Sequence, residues 1–341
     1  MGNKKLFIRK NIPILKKGCM KKTIFALLLF LLSKDLQAAQ IYNKTNQSTY
    51  TIKVTILKNA PDFLIENHKW LKVVLIGSIP STNMYQKVEN LIFSPPDDTV
   101  KGELIATSKS NNQYLRLESN YLLERYDMTF KYSTWDIEVD FSKINVIHEY
   151  VHTDFYNLYT QLNPNINSEE DFNSLFIKMQ KESKNYLDFA KKSYLFLQRN
   201  YKHGEHNKHL RDIFITKKGD CSDLTELYSN LLRKYGIPTR TLSGYIIRKD
   251  NQIDRHVWLE FLLENYGWIP ADPSWSLPNG KAFGKLYKGH VILQQEDYPI
   301  IINNGSKDVP FVFINGCSWW YWRSGGTKQG NLRYMYQLSV K

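Results

Sequence analysis

Cysteine is scarce in this chain: Cys19, Cys221 and Cys317 are the three among 341 residues, too few for a disulfide-stapled scaffold. No apolar run reaches bilayer-spanning length; the segment Ile24–Leu32 is well short of the ~20 residues that a helical span needs. No internal repeat or low-complexity tract occurs, which sets aside solenoids and flexible linkers. Acidic residues are outnumbered, with 33 Asp and Glu against 46 Lys and Arg, for a formal charge of +13. That balance invites a nucleic-acid reading, but the excess is local. Residues 1–39 hold nine Lys or Arg and one Asp, so 37 basic and 32 acidic residues remain beyond them, a net +5. Nucleic acid is therefore not the expected partner.

What is present is a folded composition, 42% hydrophobic and 14% aromatic, long enough for about two domains. The first 39 residues read as a leader: Met20-Lys21-Lys22, the apolar run Ile24–Leu32, then small residues at Ala38 and Ala39. The basic stretch ahead of Met20 is either an extended leader or an upstream start, with Met20 the alternative. Cys19 precedes the apolar run, where a lipid-modified cysteine would follow it. The mature chain is expected to begin near Ala39 or Gln40, in the periplasm or outside the cell, with no stable membrane span after cleavage.

Residues 40–145 alternate with period two. Tyr50, Ile52, Val54 and Ile56 share one strand face, as do Tyr126, Met128, Phe130 and Tyr132, and then Ile137, Val139 and Phe141. This is expected to be an N-terminal antiparallel β-sandwich. Residues 146–180 read as a helical connector, with Ser168 and Asp171 as a capping box and Phe172, Leu175, Phe176 and Met179 as a stripe. Residues 181–280 continue with a helix carrying Tyr186, Ala190, Tyr194, Leu197 and Tyr201 on one face. Another follows with Leu224, Leu227, Tyr228, Leu231, Leu232 and Tyr235, closed by Gly236 and Pro238. Strands then run through "TRTLSGYII", "RHVWLEFLL" and "WIPADPSW". Residues 281–341 are expected to be a C-terminal β extension. The fold class is α+β.

The second of these helices begins at "KKGDCSDLTELYSNLL". Asp220 is an N-cap type, which puts Cys221 in the first turn, where unpaired backbone N–H groups and the positive dipole end favour negative charge. A sulfur there suits a nucleophile, and the same N–H groups suit an oxyanion. A hairpin turn centred at residue 264 sets His256 and Asp272 opposite one another, each eight residues away. An imidazole base and its orienting carboxylate would then lie across adjacent strands. A slip of one residue would send them to opposite faces. The competing reading is a disulfide between Cys221 and Cys317 or an inert buried thiol.

The stretches "GDCSDLTELYSNLLRKYGIPTRTLSGY", "HVWLEF" and "YGWIPADPSW" together resemble the transglutaminase-like cysteine superfamily, which has a papain-like fold. Its core reads Gly-x-Cys with a helix ending in Gly-Ile-Pro, then His-Ala-Trp, then Trp-x-x-x-Asp-Pro-Thr-Trp. The likeness covers roughly residues 185–280, with Val257 in place of Ala and Ser274 in place of Thr. It implies a triad of Cys221, His256 and Asp272 that cleaves an amide through a thioester, by hydrolysis or by acyl transfer to an amine. The implied substrate is a protein or peptide, with a cell-envelope polymer one form of it, and no cofactor is expected. Tyr201 is the candidate oxyanion donor, with the end of a helix stripe as its alternative, and Trp258 the candidate cleft wall. Calcium is not expected, since no acidic loop has a metal-ligand pattern.

Two other motifs stand apart. His148-Glu149-Tyr150-Val151-His152 matches H-E-x-x-H, which on a helix would bind zinc with Glu149 as base and Glu169 or Glu170 as a third ligand. Its β-branched and aromatic setting, with no helical stripe, favours a connector. "CSWWYWRSGG", Cys317 to Gly326, is a strand packing both faces or a surface that grips a polymer. A catalytically silent binding or assembly module on the same fold is the alternative from a different functional class.

Overall fold

The computed structural model describes residues 41–59, 72–94, 99–106, 112–120, 125–144, 149–207, 209–274, 282–296, 300–303, 308–311, 319–324 and 333–340. The leader, Cys317, His148 and Trp275 lie outside these residues.

Alternation produces the first sheet. Strand β1 (Tyr42–Asn59) pairs antiparallel with β6 (Arg125–Val139), setting Tyr50 opposite Tyr132, Ile52 opposite Phe130 and Val54 opposite Met128. The two apolar runs expected at 126–132 and 137–141 form one strand that ends at Val139, with Phe141 opening a 3-10 turn. Strand β3 (Gln86–Ser94) flanks β6 on its other side. A second sheet holds β2 (Lys72–Ile79), β5 (Gln113–Ser119) and β4 (Lys101–Ala106). Ile52, Val54, Ile79, Leu115, Leu117 and Phe130 meet in one core, to which Tyr245, Ile247, Val291 and Leu293 also belong.

The remaining chain opens with short helices α1 (Asp154–Tyr159) and α2 (Pro164–Asn167), then α3 (Glu170–Glu182) and α4 (Tyr186–Asn200). The stripe on α3 is buried as expected: Phe172, Leu175, Phe176 and Met179. Its cap is different. Ser168 closes α2, and Glu169 is the N-cap of α3 without a side-chain bond, so the Ser168–Asp171 capping box does not form. A parallel bridge between β7 (Lys202–His203) and β8 (Lys218–Gly219) brackets α5 (Ile213–Thr216).

Helix α6 (Cys221–Lys234) follows at once, with Leu224, Leu227, Tyr228, Leu231 and Leu232 buried. It ends in a Schellman motif: Ile237 N donates to Leu232 O at 2.9 Å and Gly236 N to Arg233 O at 3.0 Å, and Gly236 takes φ +86°.

The third sheet is antiparallel in the order β11 (Gly267–Ala271), β10 (Ile253–Leu263), β9 (Thr239–Ile247), β13 (His290–Gln295). Pro270 sits on edge strand β11, where a missing N–H is tolerated. Leu259, Phe261 and Leu263 share a core with the helices, whereas Leu242, Trp258 and Ile292 pack with Tyr85, Ile137 and Leu286. Strand β12 (Lys285–Leu286) joins β6, while β14 (Ile300–Asn303) and β15 (Asp308–Phe311) form a pair. Strands β16 (Trp319–Ser324) and β17 (Arg333–Val340) return to β2 and β1. The chain is thus a mixed α+β protein of antiparallel sheets and helices.

A buried polar knot ties the N-terminal strands to the third sheet. Glu260 is fully buried, bonded by Arg240 Nε and, at 2.5 Å, by the Tyr85 hydroxyl. The Arg240 guanidinium lies 4.0 Å over the Trp268 ring, and the Tyr42 hydroxyl donates to Trp268 O at 2.6 Å. Removing one member of such a pair leaves the other charge stranded. Glu260→Ala is expected to cost about 3–5 kcal/mol in a urea titration, and Arg240→Met combined with Glu260→Leu to recover most of that loss.

Candidate active site

Cys221 is the first residue of α6, half-buried and a free thiol. The turn that delivers it is tightly built. Asp220 Oδ1 accepts from Asp223 N at 2.9 Å, and Asp223 Oδ2 accepts from Asp220 N at 3.2 Å, a reciprocal capping box. Gly219 is required by space: a Cβ there would lie 2.8 Å from Asp223 Cβ and 3.1 Å from Ile213 Cδ1. Asp223 is more than a helix-end charge. It is buried, its Oδ2 also accepts from Asn207 N and Nδ2, each at 2.9 Å, and its Oδ1 lies 3.0 Å from His206 Nδ1. One carboxylate therefore lashes the 204–207 loop to the start of α6.

His256 comes from β10 and Asp272 from the residue after β11. The turn is centred at 265 rather than 264, since Leu263 pairs with Gly267. Asn265 at φ +69° and Gly267 at φ +93° make room for a three-residue turn. The register moves by two, which preserves the face and makes His256 and Asp272 diagonal neighbours instead of direct partners. They still meet: His256 Nε2 lies 2.6 Å from Asp272 Oδ2, both residues buried. Cys221 acts on the same imidazole and adds to the upward pull on its pKa.

Asp272 is held on every side. Its Oδ1 accepts from Ser274 N at 3.0 Å and Ser274 Oγ at 2.8 Å. The Tyr194 hydroxyl donates to Asp272 O at 3.2 Å, and Gln198 Nε2 donates to Pro273 O, so α4 clamps the backbone beneath the carboxylate. Burial opposes ionisation of Asp272, but the charge and hydrogen bond of His256 outweigh it and hold the carboxyl far below its usual range. For His256, burial is the largest influence and pulls the pKa down. The Asp272 charge and hydrogen bond, with Cys221 adding to them, reverse this and raise it to about 10.

Trp258 is fully buried, its ring stacked 5.7 Å from that of His256, so it backs the imidazole from within and does not form a cleft surface. Tyr201 lies at the C-terminal end of α4 and is buried. Lys217 Nζ lies 5.1 Å from its ring centroid, and burial followed by the Asp171 charge raises the Tyr201 pKa to about 12. Its position is that of the helix-stripe reading. Of the H-E-x-x-H segment, His148 lies outside the described residues, while residues 149–152 form no helix ahead of α1 and His152 packs on Tyr156 at 4.3 Å, so the described part lacks the helical setting of the zinc motif. A polar cleft of about 500 Å³, lined by Asn163, Glu169, His209, Arg211 and Glu226 among others, does not include Cys221, His256 or Asp272.

Sequence reasoning missed His290. It is buried at the start of β13, with Nε2 3.5 Å from Asp272 Oδ2 and its ring 5.7 Å from that of His256. The available signal was a histidine opening an otherwise apolar strand, "HVIL".

The raised pKa of His256 makes stability depend on pH. The unfolded imidazole titrates near 6.5 and the folded one near 10, so the pair's contribution is fully present below about pH 6.5 and is lost as pH rises through about 10. Urea midpoints measured between pH 6 and 10.5 are expected to fall more steeply for the wild type than for Asp272→Asn, in which His256 has lost its partner.

Comparison with known proteins places residues 173–273 in a family and the chain near a known fold. The Transglutaminase-like superfamily profile matches residues 173–273. A protein-glutamine gamma-glutamyltransferase of Pseudomonas aeruginosa is 30% identical over 74 residues, 19% of this chain and 11% of that protein, so the chain spans only a small part of that relative. The crystal structure of a candidate cysteine protease from Cytophaga hutchinsonii superposes with TM-score 0.54 at 16% identity, over 88% of this chain and 100% of the other, a likeness of fold. The periplasmic domain of TgpA from Pseudomonas aeruginosa gives TM-score 0.36 at 14% identity, over 71% and 90%. Residues 173–273, which carry Cys221, His256 and Asp272, are therefore a transglutaminase-like domain on a papain-like α+β fold.

Proposed function

We propose that the protein is an exported transglutaminase-like cysteine enzyme that acts on amide bonds of a protein or peptide through Cys221, His256 and Asp272. The observation that carries this reading is the buried 2.6 Å contact between His256 Nε2 and Asp272 Oδ2, with Cys221 acting on the same imidazole from a helix N-terminus. A binding module has no need of a cysteine, a histidine and an aspartate all in this arrangement.

In this reading Cys221 attacks an amide carbonyl as a thiolate whose proton is held by His256, and the oxyanion that forms faces the backbone N–H groups of the first turn of α6. The His256 imidazolium gives its proton to the leaving amine, the C–N bond breaks, and a thioester remains on Cys221. Neutral His256 then takes a proton from an incoming water or amine, which attacks the thioester and releases the Cys221 thiolate beside the imidazolium. Asp272 keeps the ring oriented through both half-reactions and offsets its positive charge. The glutamyltransferase named above supports a glutamine carboxamide as one acyl donor. Export rests on the basic, apolar and small-residue order of residues 20–39.

The test is amine release from a peptide substrate, with mass spectrometry of the protein after acid quench. The wild type is expected to carry an acyl adduct on Cys221, and Cys221→Ala and His256→Ala to lose at least ~10³-fold in rate. Equal signals from wild type and Cys221→Ala would favour a silent binding module. Because the imidazolium is the acid, turnover is expected to fall as pH rises through about 10, and Asp272→Asn to bring that fall to lower pH.

A further inference from the structure

The polar cleft of about 500 Å³ has the volume of a small-ligand site, and the triad chemistry leaves it unused. Three elements wall it: α6 through Glu226, the α2–α3 corner through Asn163, Ile166 and Glu169, and the 3-10 turn Leu210–Asp212 through Leu210 and Arg211. These walls are tied together. Asn163 N donates to Asn230 Oδ1 at 2.9 Å and Asn163 Nδ2 donates to Glu226 Oε1, which fixes the corner against α6. Arg233 Nη1 adds a bond to Gln161 O at 3.3 Å, and Asp212 Oδ2 accepts from His209 N at 3.2 Å to close the turn.

The cleft follows the helix that carries the nucleophile. Ser222, Glu226 and Asn230 recur every four residues and so lie along one line of α6, which runs from the cleft to the neighbour of Cys221. Between Glu226 and Cys221 the helix rises about 7.5 Å, a length that about two to three extended residues cover. Both signs of charge line the cleft. Glu169 and Glu226 are half-buried and have no ion-pair partner among the described residues; Glu169 stands at the N-cap of α3 without making a cap bond. On another wall the Arg211 side chain is 61% exposed, and its Nε is 4.0 Å from Asp212 Oδ1, too far for a hydrogen bond. Ile166 and Leu210 supply apolar surface beside these charges. An ammonium on an aliphatic stem suits the two carboxylates and the apolar surface, and a carboxylate suits the guanidinium. A wholly anionic ligand would meet Glu169 and Glu226, and a wholly cationic one would leave Arg211 unmatched.

We propose that this cleft is the docking site for a peptide segment that carries an aliphatic ammonium and a carboxylate, and that it holds this segment while an amide about two to three residues away reaches Cys221. The role in turnover rests on the catalytic reading of Cys221, His256 and Asp272. The binding does not.

The test uses the full chain and two capped peptides, each with one glutamine and a lysine–glutamate pair about two to three residues from it, before the glutamine in one and after it in the other. In the control peptides the lysine is acetylated and the glutamate replaced by glutamine. Calorimetry reads binding without turnover, and ammonia release gives kcat and KM. The wild type is expected to bind one charged peptide at least about tenfold more tightly than its control, with the preference shrinking as salt is raised. Glu169→Gln and Arg211→Gln, both outside the triad, are each expected to weaken that binding about tenfold and to raise KM by the same factor at unchanged kcat, leaving the controls unaffected. Arg211 is exposed, so Arg211→Gln is read alone if Glu169→Gln does not fold. Equal affinity for charged and control peptides, or unchanged affinity in the folded variants, would overturn the proposal. If binding follows the variants and KM does not, the docking role in turnover is overturned. If binding follows the variants and no protein, wild type included, turns over a peptide, the docking site stands and the catalytic reading falls.

Discussion

A protonated imidazole and an ionised carboxylate are buried together, and the arrangement of the domain follows from making that tolerable. Either charge alone in this setting would be expelled by desolvation; at 2.6 Å each stabilises the other, which is why His256 is pushed upward and Asp272 downward against the effect of burial. The pair needs its geometry fixed from outside, because a carboxylate free to turn would forfeit the contact. Ser274 holds one oxygen, α4 holds the backbone through Tyr194 and Gln198, and Trp258 backs the ring.

The thiol arrives from an independent element with its own constraint. α6 starts at Cys221 because the reciprocal bonds of Asp220 and Asp223 define its first turn, and Gly219 lets the entering chain pass against Asp223. Sheet and helix then meet through an apolar core in which Leu224, Leu227 and Leu231 face the same cluster as Leu259 and Phe261. Strands at both ends of the chain support the sheet from its other face. β17 pairs with β1 and β16 with β2, and the Glu260–Arg240–Tyr85 knot bonds the N-terminal region to β9 and β10.

Local pattern was legible where one element decides the outcome. Period-two alternation anticipated the faces of β1 and β6, and period 3.6 anticipated the stripes of α3, α4 and α6, because burial of one face follows from backbone geometry alone. Gly236 and Pro238 marked the end of α6 for the same reason. Signals needing a partner were weaker. Ser168 belonged to α2, one short helix that periodicity did not resolve, and Tyr201 fell on the buried stripe that its spacing equally allowed. The hairpin register was off by two because a three-residue turn, admitted by positive φ at Asn265 and Gly267, replaced the assumed one; parity protected the conclusion.

The sequence by itself determined which residues are chemically equipped: a cysteine at a helix start, a histidine and an aspartate on strand positions of one parity, and apolar faces to seat both elements. Those are short-range properties of spacing and residue type. Tertiary structure alone decided which groups surround Asp272, how Asp223 lashes its loop, and that the last strands complete the first sheets. Each of these depends on contacts between residues far apart in the chain, which hydrophobic pattern leaves unspecified, and on close approaches such as Gly244 against Val291 that appear only once strands are in register.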